Sequence, residues 1–141
     1  MQTDREAIDD LLTRYATAVD RRDWQLFRSC FTTDAQIDYT SAGGIKGSLE
    51  EVVTWLAQVL PVFTMTQHLV VNRDIAIEGD RATARSAFFN PLGVSDGKGG
   101  MTLFFDGGYY SDKLVRTGDG WRIVERVEET AYTTRLHRLG G

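Results

Sequence analysis

The stretch Met101–Glu129, MTLFFDGGYYSDKLVRTGDGWRIVERVEE, limits most strongly what this chain can fold into. Two runs rich in aromatic and β-branched residues flank Thr117-Gly118-Asp119-Gly120, whose Asp-Gly step favours the positive φ of a tight turn, so the stretch predicts a long β-hairpin. Its first arm is aromatic on both faces, which a half-solvated strand would not be, and Gly107-Gly108 in its middle predicts a bulge or a bend. A sheet that bends this way needs a cover for its concave side.

The N-terminal half supplies helices for that cover. Thr3-Asp4-Arg5-Glu6 has the form of a capping box, and Ile8, Leu11, Leu12, Tyr15 and Val19 recur at helical spacing behind it. Asp23 is placed to cap a short second helix carrying Trp24, Phe27, Cys30 and Phe31. Ala35–Tyr39 alternates as a strand. Ser48-Leu49-Glu50-Glu51 is a second capping box, leading into Val52, Val53, Trp55, Leu56, Val59 and Leu60 before Pro61. The pattern then turns to β: Met65–Asn72, the Ile75–Ile77 run, and Arg81–Phe89 after the turn Glu78-Gly79-Asp80. Pro91–Gly100, with four glycines, is expected to be a mobile flap, and Thr133–Gly141 a basic tail. Helices first and a largely antiparallel sheet afterwards give an α+β plan: three helices on one bent sheet, a cone with room for one small ligand, in one domain over 1–141.

Composition narrows the partners. Sixteen basic against twenty acidic residues leave a formal charge of −4 with no basic run, which argues against nucleic acid and anionic membrane. No apolar run approaches the roughly 20 residues of a membrane span. The polar, acidic N-terminus lacks a signal-peptide pattern, and the single cysteine, Cys30, forms no internal disulfide, so a cytoplasmic location is expected. The two histidines, His68 and His137, lie far apart with no metal-ligand spacing, and no metal is expected. Gly97-Lys98-Gly99-Gly100 lacks the spacing of a phosphate loop, and no G-x-S-x-G occurs.

Four residues could carry chemistry. His68 sits in Thr66-Gln67-His68-Leu69-Val70-Val71, read as a strand suited to burial; it is either a hydrogen-bonded core histidine or a general acid/base near neutral pH. Asp20 falls where the first helix should end, a position the helix dipole disfavours for a carboxylate unless it caps or binds something. Tyr15 and Tyr39 place phenols among apolar neighbours, as core aromatics or as hydroxyls with partners.

Tyr15-Ala-Thr-Ala-Val-Asp20-Arg-Arg-Asp23-Trp24, Gln36-Ile-Asp-Tyr39, Thr66-Gln-His68 and Asp119-Gly-Trp121-Arg-Ile resemble the SnoaL-like family of the nuclear transport factor 2 (NTF2-like) superfamily, above all its scytalone dehydratase and bile acid 7α-dehydratase branches. The resemblance implies that Asp20 and His68 are an acid/base pair, that Tyr39 matches a tyrosine holding a water on the substrate carbonyl, and that Tyr15 matches a catalytic tyrosine. There are departures. Val19 replaces a further tyrosine, a second histidine falls near Leu92 with none here, and a pocket asparagine falls near Ser111. A further Asp and Arg of the bile acid enzymes fall near Met101 and Thr130, with Asp106 and Arg126 close by.

The function this implies is cofactor-independent acid/base catalysis, a dehydratase or isomerase. His68, oriented by Asp20, would remove a proton beside a carbonyl while Tyr15 or Tyr39 stabilises the enolate. Trp55, Phe89, Met101, Phe104, Phe105, Tyr110 and Ser111 are the expected pocket lining, for a cyclic, steroid-like or aromatic small molecule. The alternatives are a non-catalytic binding or assembly protein on the same cone, or a polyketide cyclase-like enzyme. Apolar residues on both faces of the hairpin predict a homo-oligomer, dimer or trimer, through the outer face of the sheet.

Overall fold

The computed structural model describes residues 1–135. Helix α1 (Asp4–Arg21) begins at the capping box of Thr3 and Glu6 and buries Ile8, Leu11, Leu12, Tyr15, Ala18 and Val19 along one face. Arg22 adopts φ 56° and ends it in a left-handed cap. Asp23 accepts from the Leu26 N–H to start α2 (Trp24–Arg28), and Ser48 with Glu51 forms the box that starts α3 (Leu49–Val59). The second helix is shorter than the sequence predicts. Cys30 lies beyond it and is fully buried, and Phe31 already belongs to the first strand.

The strands are β1 (Phe31–Asp38), β2 (Lys46–Ser48), β3 (Met65–Thr66), β4 (Leu69–Glu78), β5 (Arg81–Ser95), β6 (Met101–Thr117) and β7 (Gly120–Arg135). They form one seven-stranded sheet in the order β2-β1-β7-β6-β5-β3, with β4 also pairing β5. Only the β1–β7 pair is parallel. The hairpin turns at Thr117–Gly120, as its Asp-Gly step predicts, and the β6–β7 register slips between Gly107 and Gly108. A Cβ on Gly108 would stand 2.1 Å from the Glu129 carbonyl oxygen and 2.9 Å from the Phe88 ring, so only glycine lets the strands close here.

Two local expectations are corrected. Pro91–Gly100 is not all loop: residues 91–95 pair with Met101–Phe105, leaving a turn of 96–100 in which Asp96 accepts from the Lys98 and Gly100 N–H groups. Pro91 fits in the strand because its carbonyl still accepts, from the Gln67 N–H. The strand predicted over Met65–Asn72 is interrupted at Gln67-His68. Thr133–Arg135 of the expected basic tail belong to β7; the rest of it, residues 136–141 with His137, lies outside the described part.

The helices cover the inner face of the bent sheet, which makes the α+β cone. Tyr15, Phe27 and Phe31 pack ring to ring at 5.0–6.2 Å between centroids, and Tyr110 meets Tyr15 at 5.7 Å from the sheet side. At the other end, Arg116 and the Trp121 indole N–H both bond to Asp4, fastening the hairpin tip to the start of α1. No described helix is long and apolar enough to cross a membrane.

Candidate active site

The interruption between β3 and β4 has a specific cause. Asp20, in the last turn of α1, accepts the His68 backbone N–H at 2.8 Å, a bond the sheet would otherwise claim. Its other oxygen lies 2.7 Å from His68 Nδ1 and accepts the Thr66 hydroxyl at 3.1 Å. Arg22 donates to Thr66 Oγ1 at 2.9 Å and to the Val19 carbonyl at 2.8 Å. The left-handed cap of α1 therefore places a cation behind the threonine, the threonine against the carboxylate and the carboxylate against the imidazole. Side-chain exposure is 11% for His68 and 26% for Asp20. An ionised Asp20 makes Nδ1 the protonated nitrogen and leaves Nε2 with a lone pair. Nε2 has no hydrogen-bond partner among the described residues.

His68 lines a cavity of about 160 Å³ inside the cone. Its walls include Tyr15 and Val19 from α1, Trp55 and Leu56 from α3, Phe88, Asn90 and Leu92 from β5, Asp106 and Tyr110 from β6, and Glu128 and Thr130 from β7. Tyr39 completes it, its hydroxyl 2.7 Å from that of Tyr15. Burial raises the Tyr15 and Tyr39 pKa values, so both phenols stay protonated, and the Arg126 cation works against that rise in each. Larger grooves of about 440 and 450 Å³ lie along the sheet away from His68, lined by residues such as Thr83, Lys113 and Glu125. Neither is lined by a histidine among the described residues.

Of the expected residues, the structure brings His68, Tyr15, Tyr39, Trp55 and Tyr110 around one cavity, with Asp20 behind His68. The rest of the expected lining is corrected. Phe89, Met101, Phe105 and Ser111 sit at odd positions of β5 and β6, while the cavity takes Phe88, Asn90 and Leu92 from β5 and Asp106 and Tyr110 from β6. Successive side chains of a strand point to opposite faces, so the odd set belongs to the outer face. Phe89 and Phe105 stack there at 5.1 Å, Ser111 accepts from Arg85, and Met101 crosses Gly93, where a Cβ would meet its sulfur at 1.9 Å. Phe104 shares the inner register with Leu92 but is not among the residues that line the cavity.

Sequence reasoning missed Phe88, Asn90 and Glu128, and named Arg126 only as lying close to a family arginine position. Phe88 lines the cavity and stacks on Tyr110 at 4.7 Å. Asn90 and Glu128 face the same space. Arg126 is fully buried, paired with fully buried Asp112 at 2.7 and 2.8 Å, and its guanidinium carbon lies 4.0 Å from the Tyr15 ring centroid and 4.1 Å from that of Tyr110. A countable signal existed: pairing outward from the Thr117–Gly120 turn brings Asp112 within one position of Arg126. Among the described residues no three His, Cys, Asp or Glu side chains converge as metal ligands.

Comparison with known proteins agrees with this architecture. Residues 2–127 match the SnoaL-like domain family. Uncharacterized protein Rv2910c of Mycobacterium tuberculosis (strain H37Rv) is 38% identical over 130 residues, 92% of this chain and 87% of that protein. Among solved structures, the Kfla4162 protein from Kribbella flavida superposes with a TM-score of 0.82 at 26% identity over 92% of each chain. Hexachlorocyclohexane dehydrochlorinase LinA-type3 from Novosphingobium barchaimii LL02 does so with a TM-score of 0.80 at 19% identity, over 97% of this chain and 91% of its own. With the family match spanning nearly all of the described chain, this protein belongs to the SnoaL-like family and has the NTF2-like cone.

Proposed function

We propose that the protein is a cofactor-independent lyase or isomerase in which His68 removes a proton from carbon beside a substrate carbonyl. The observation that carries this reading is the His68–Asp20 pair at the wall of a cavity lined mostly by aromatic and aliphatic side chains. Asp20 fixes the tautomer, so Nε2 is the base, and the side chain is only 11% exposed. The paired hydroxyls of Tyr15 and Tyr39 supply a donor for the developing enolate oxygen, with the Arg126 cation against the Tyr15 ring favouring negative charge nearby. Loss of a β-hydroxyl from that enolate would be dehydration, and return of the proton to another carbon would be isomerisation. The shared cone of a protein named a dehydrochlorinase supports the elimination branch, since that name describes removal of a proton and a leaving group from adjacent carbons.

The cavity's size and its Tyr, Phe and Trp walls suit a single-ring or small fused-ring carbonyl compound. We also take two or three copies to associate through the outer sheet face, where Leu69, Val71, Phe89, Tyr109 and Tyr132 are exposed. The direct test of the base is hydrogen–deuterium exchange at the α-carbon of cyclic ketones, followed by NMR with the wild-type protein and His68→Ala. Enzyme-dependent exchange that the variant loses is expected; equal exchange by a folded variant would remove His68 from the role.

A further inference from the structure

Two polar groups on the cavity wall take no part in the His68–Asp20 pair, and each has a buried oxygen without a hydrogen bond among the described residues. Asn90 of β5 stands opposite Asp106 of β6, and Glu128 of β7 stands opposite Tyr110; all four line the cavity. Asn90 Oδ1 and Glu128 Oε1 are buried without a hydrogen bond among the described residues. Leaving such an atom unsatisfied costs on the order of 1–3 kcal/mol, so two of them on one small void point to something the void receives. Burial pushes the Glu128 carboxyl up to about 7; Arg126 opposes this, and the charges of Asp106 and Asp38 add to it. In its neutral form Glu128 is a donor, whereas Asn90 Oδ1 only accepts. A hydroxylated ligand answers both, a hydroxyl oxygen accepting from Glu128 and a hydroxyl hydrogen going to Asn90.

We propose that Glu128 and Asn90 form a hydroxyl-binding subsite, and that Glu128 is the acid which protonates the departing hydroxyl. The acid role rests on the elimination reading given above; the subsite does not. His68 Nε2 takes the proton from the α-carbon, and the C–H electron pair forms the enolate. As the enolate collapses, that pair becomes the new C=C bond, and the C–O bond breaks with its electrons going to oxygen. That oxygen takes the Glu128 proton and leaves as water. The protein is left with an imidazolium and a carboxylate, and one proton passing from His68 to Glu128 through water restores both. Nothing is oxidised or reduced. The other titratable or charged groups around Glu128 are Arg126 beside it on β7, Asp38 of β1, Asp106 and Tyr110 of β6, Tyr15 of α1, Tyr39, and His68 across the cavity.

The test uses phenol as the hydroxyl probe and fluorobenzene as its counterpart without a hydroxyl, each titrated into the full-length protein by NMR at pH 5.5 and 8.5. Phenol is expected to bind about tenfold more tightly at the lower pH, a gap of about 1.4 kcal/mol, while fluorobenzene is indifferent to pH. Glu128→Gln keeps a donor and should bind phenol equally at both pH values. Glu128→Leu and Asn90→Leu should each weaken phenol at pH 5.5 and leave fluorobenzene unchanged. A phenol affinity that is flat with pH in the wild-type protein, or a Glu128→Gln protein that keeps the wild-type pH response, overturns the subsite, whether or not the leucine variants fold. No turnover enters this measurement, so its failure leaves the assignment of His68 standing, and failure of the exchange test leaves the subsite standing. With a β-hydroxy ketone that the protein dehydrates, Glu128→Gln should lower kcat with little change in KM and remove the limb of the pH profile that falls above neutrality; an unchanged kcat overturns the acid role alone.

Discussion

Asp20 holds His68 twice, one carboxylate oxygen accepting the backbone N–H at 2.8 Å and the other lying 2.7 Å from Nδ1. The contact that orients the base is thus also the contact that interrupts the strand. Asp20→Asn can keep one of these acceptors but not both, and its amide has no charge to hold the Nδ1–H tautomer. We expect a folded protein, less stable in urea by about 1–2 kcal/mol, with turnover reduced at least about 100-fold. The double variant with His68→Ala should be no less active than His68→Ala alone, because the two residues act as a unit. Additive losses in rate would show that Asp20 acts independently.

Thr66 offers a milder version of the same experiment. Its hydroxyl accepts from Arg22 and donates to Asp20, so Thr66→Val removes the bridge while keeping the shape. Turnover should fall several-fold with KM little changed, and Thr66→Ser should restore most of it. Failure of serine to rescue would mean that the methyl group, and not the hydroxyl, matters there.

The Arg126–Asp112 pair should matter for stability more than its surface counterparts. Both side chains have zero exposure, and they join β7 to β6 beneath Tyr15 and Tyr110. Removing one partner strands a buried charge, so Arg126→Met is expected to cost about 3–5 kcal/mol in urea denaturation. Arg126→Met with Asp112→Leu should recover much of that loss, since an apolar pair of similar volume avoids the burial of charge. Arg28–Glu50 is exposed, and Arg28→Met should cost less than about 1 kcal/mol.

Local signals carried the helices well. Thr3 with Glu6 and Ser48 with Glu51 announce two capping boxes, because an N-terminal cap is written within four residues. The hairpin turn is equally local. What no local rule contains is which face of a long strand is concave: Phe88 and Phe89 are equally aromatic, and Tyr110 and Ser111 adjoin. Even so, a set mixing Phe89 with Tyr110 could not line one face, since even positions of β5 pair with even positions of β6. The break at His68 depends on a carboxylate 48 residues earlier. Nothing local marks Glu128 as interior, and Arg126 is singled out only by its closeness to a family arginine position; the helices packed over that face make both interior.

The outer face gives a prediction about assembly. Leu69 pairs with Phe89, Val71 with Ala87, and Ala87 with Tyr109, so their side chains form one continuous surface with Phe105 stacked on Phe89. Leu69, Val71, Phe89 and Tyr109 are each 36–41% exposed. Contiguous apolar area of this kind marks an interface. Light scattering should return two or three copies, and Phe89→Glu should shift the protein toward monomer without unfolding it. A monodisperse monomer for the wild-type chain would contradict this.

Glu128 should leave a mark on stability that depends on pH. Its carboxyl has an ordinary value of 4.5 and is raised to about 7 in the folded chain, so the folded state binds the proton more tightly than the unfolded state does. Between these values the folded protein holds more protons, and its stability must fall as pH rises. The contribution is complete below pH 4.5, declines through about 7 and falls no further above it. The span corresponds to at most about 3.5 kcal/mol, at roughly 1.4 kcal/mol for each pH unit. Glu128→Gln cannot titrate, so the difference between the two proteins isolates this group from every other one that ionises. Urea denaturation at pH 5 and pH 8 should show the variant gaining on the wild-type protein by up to about 3 kcal/mol at the higher pH. A difference that stays constant across that range would mean that Glu128 is ionised in the folded chain throughout, and that its buried oxygen finds its partner in solvent.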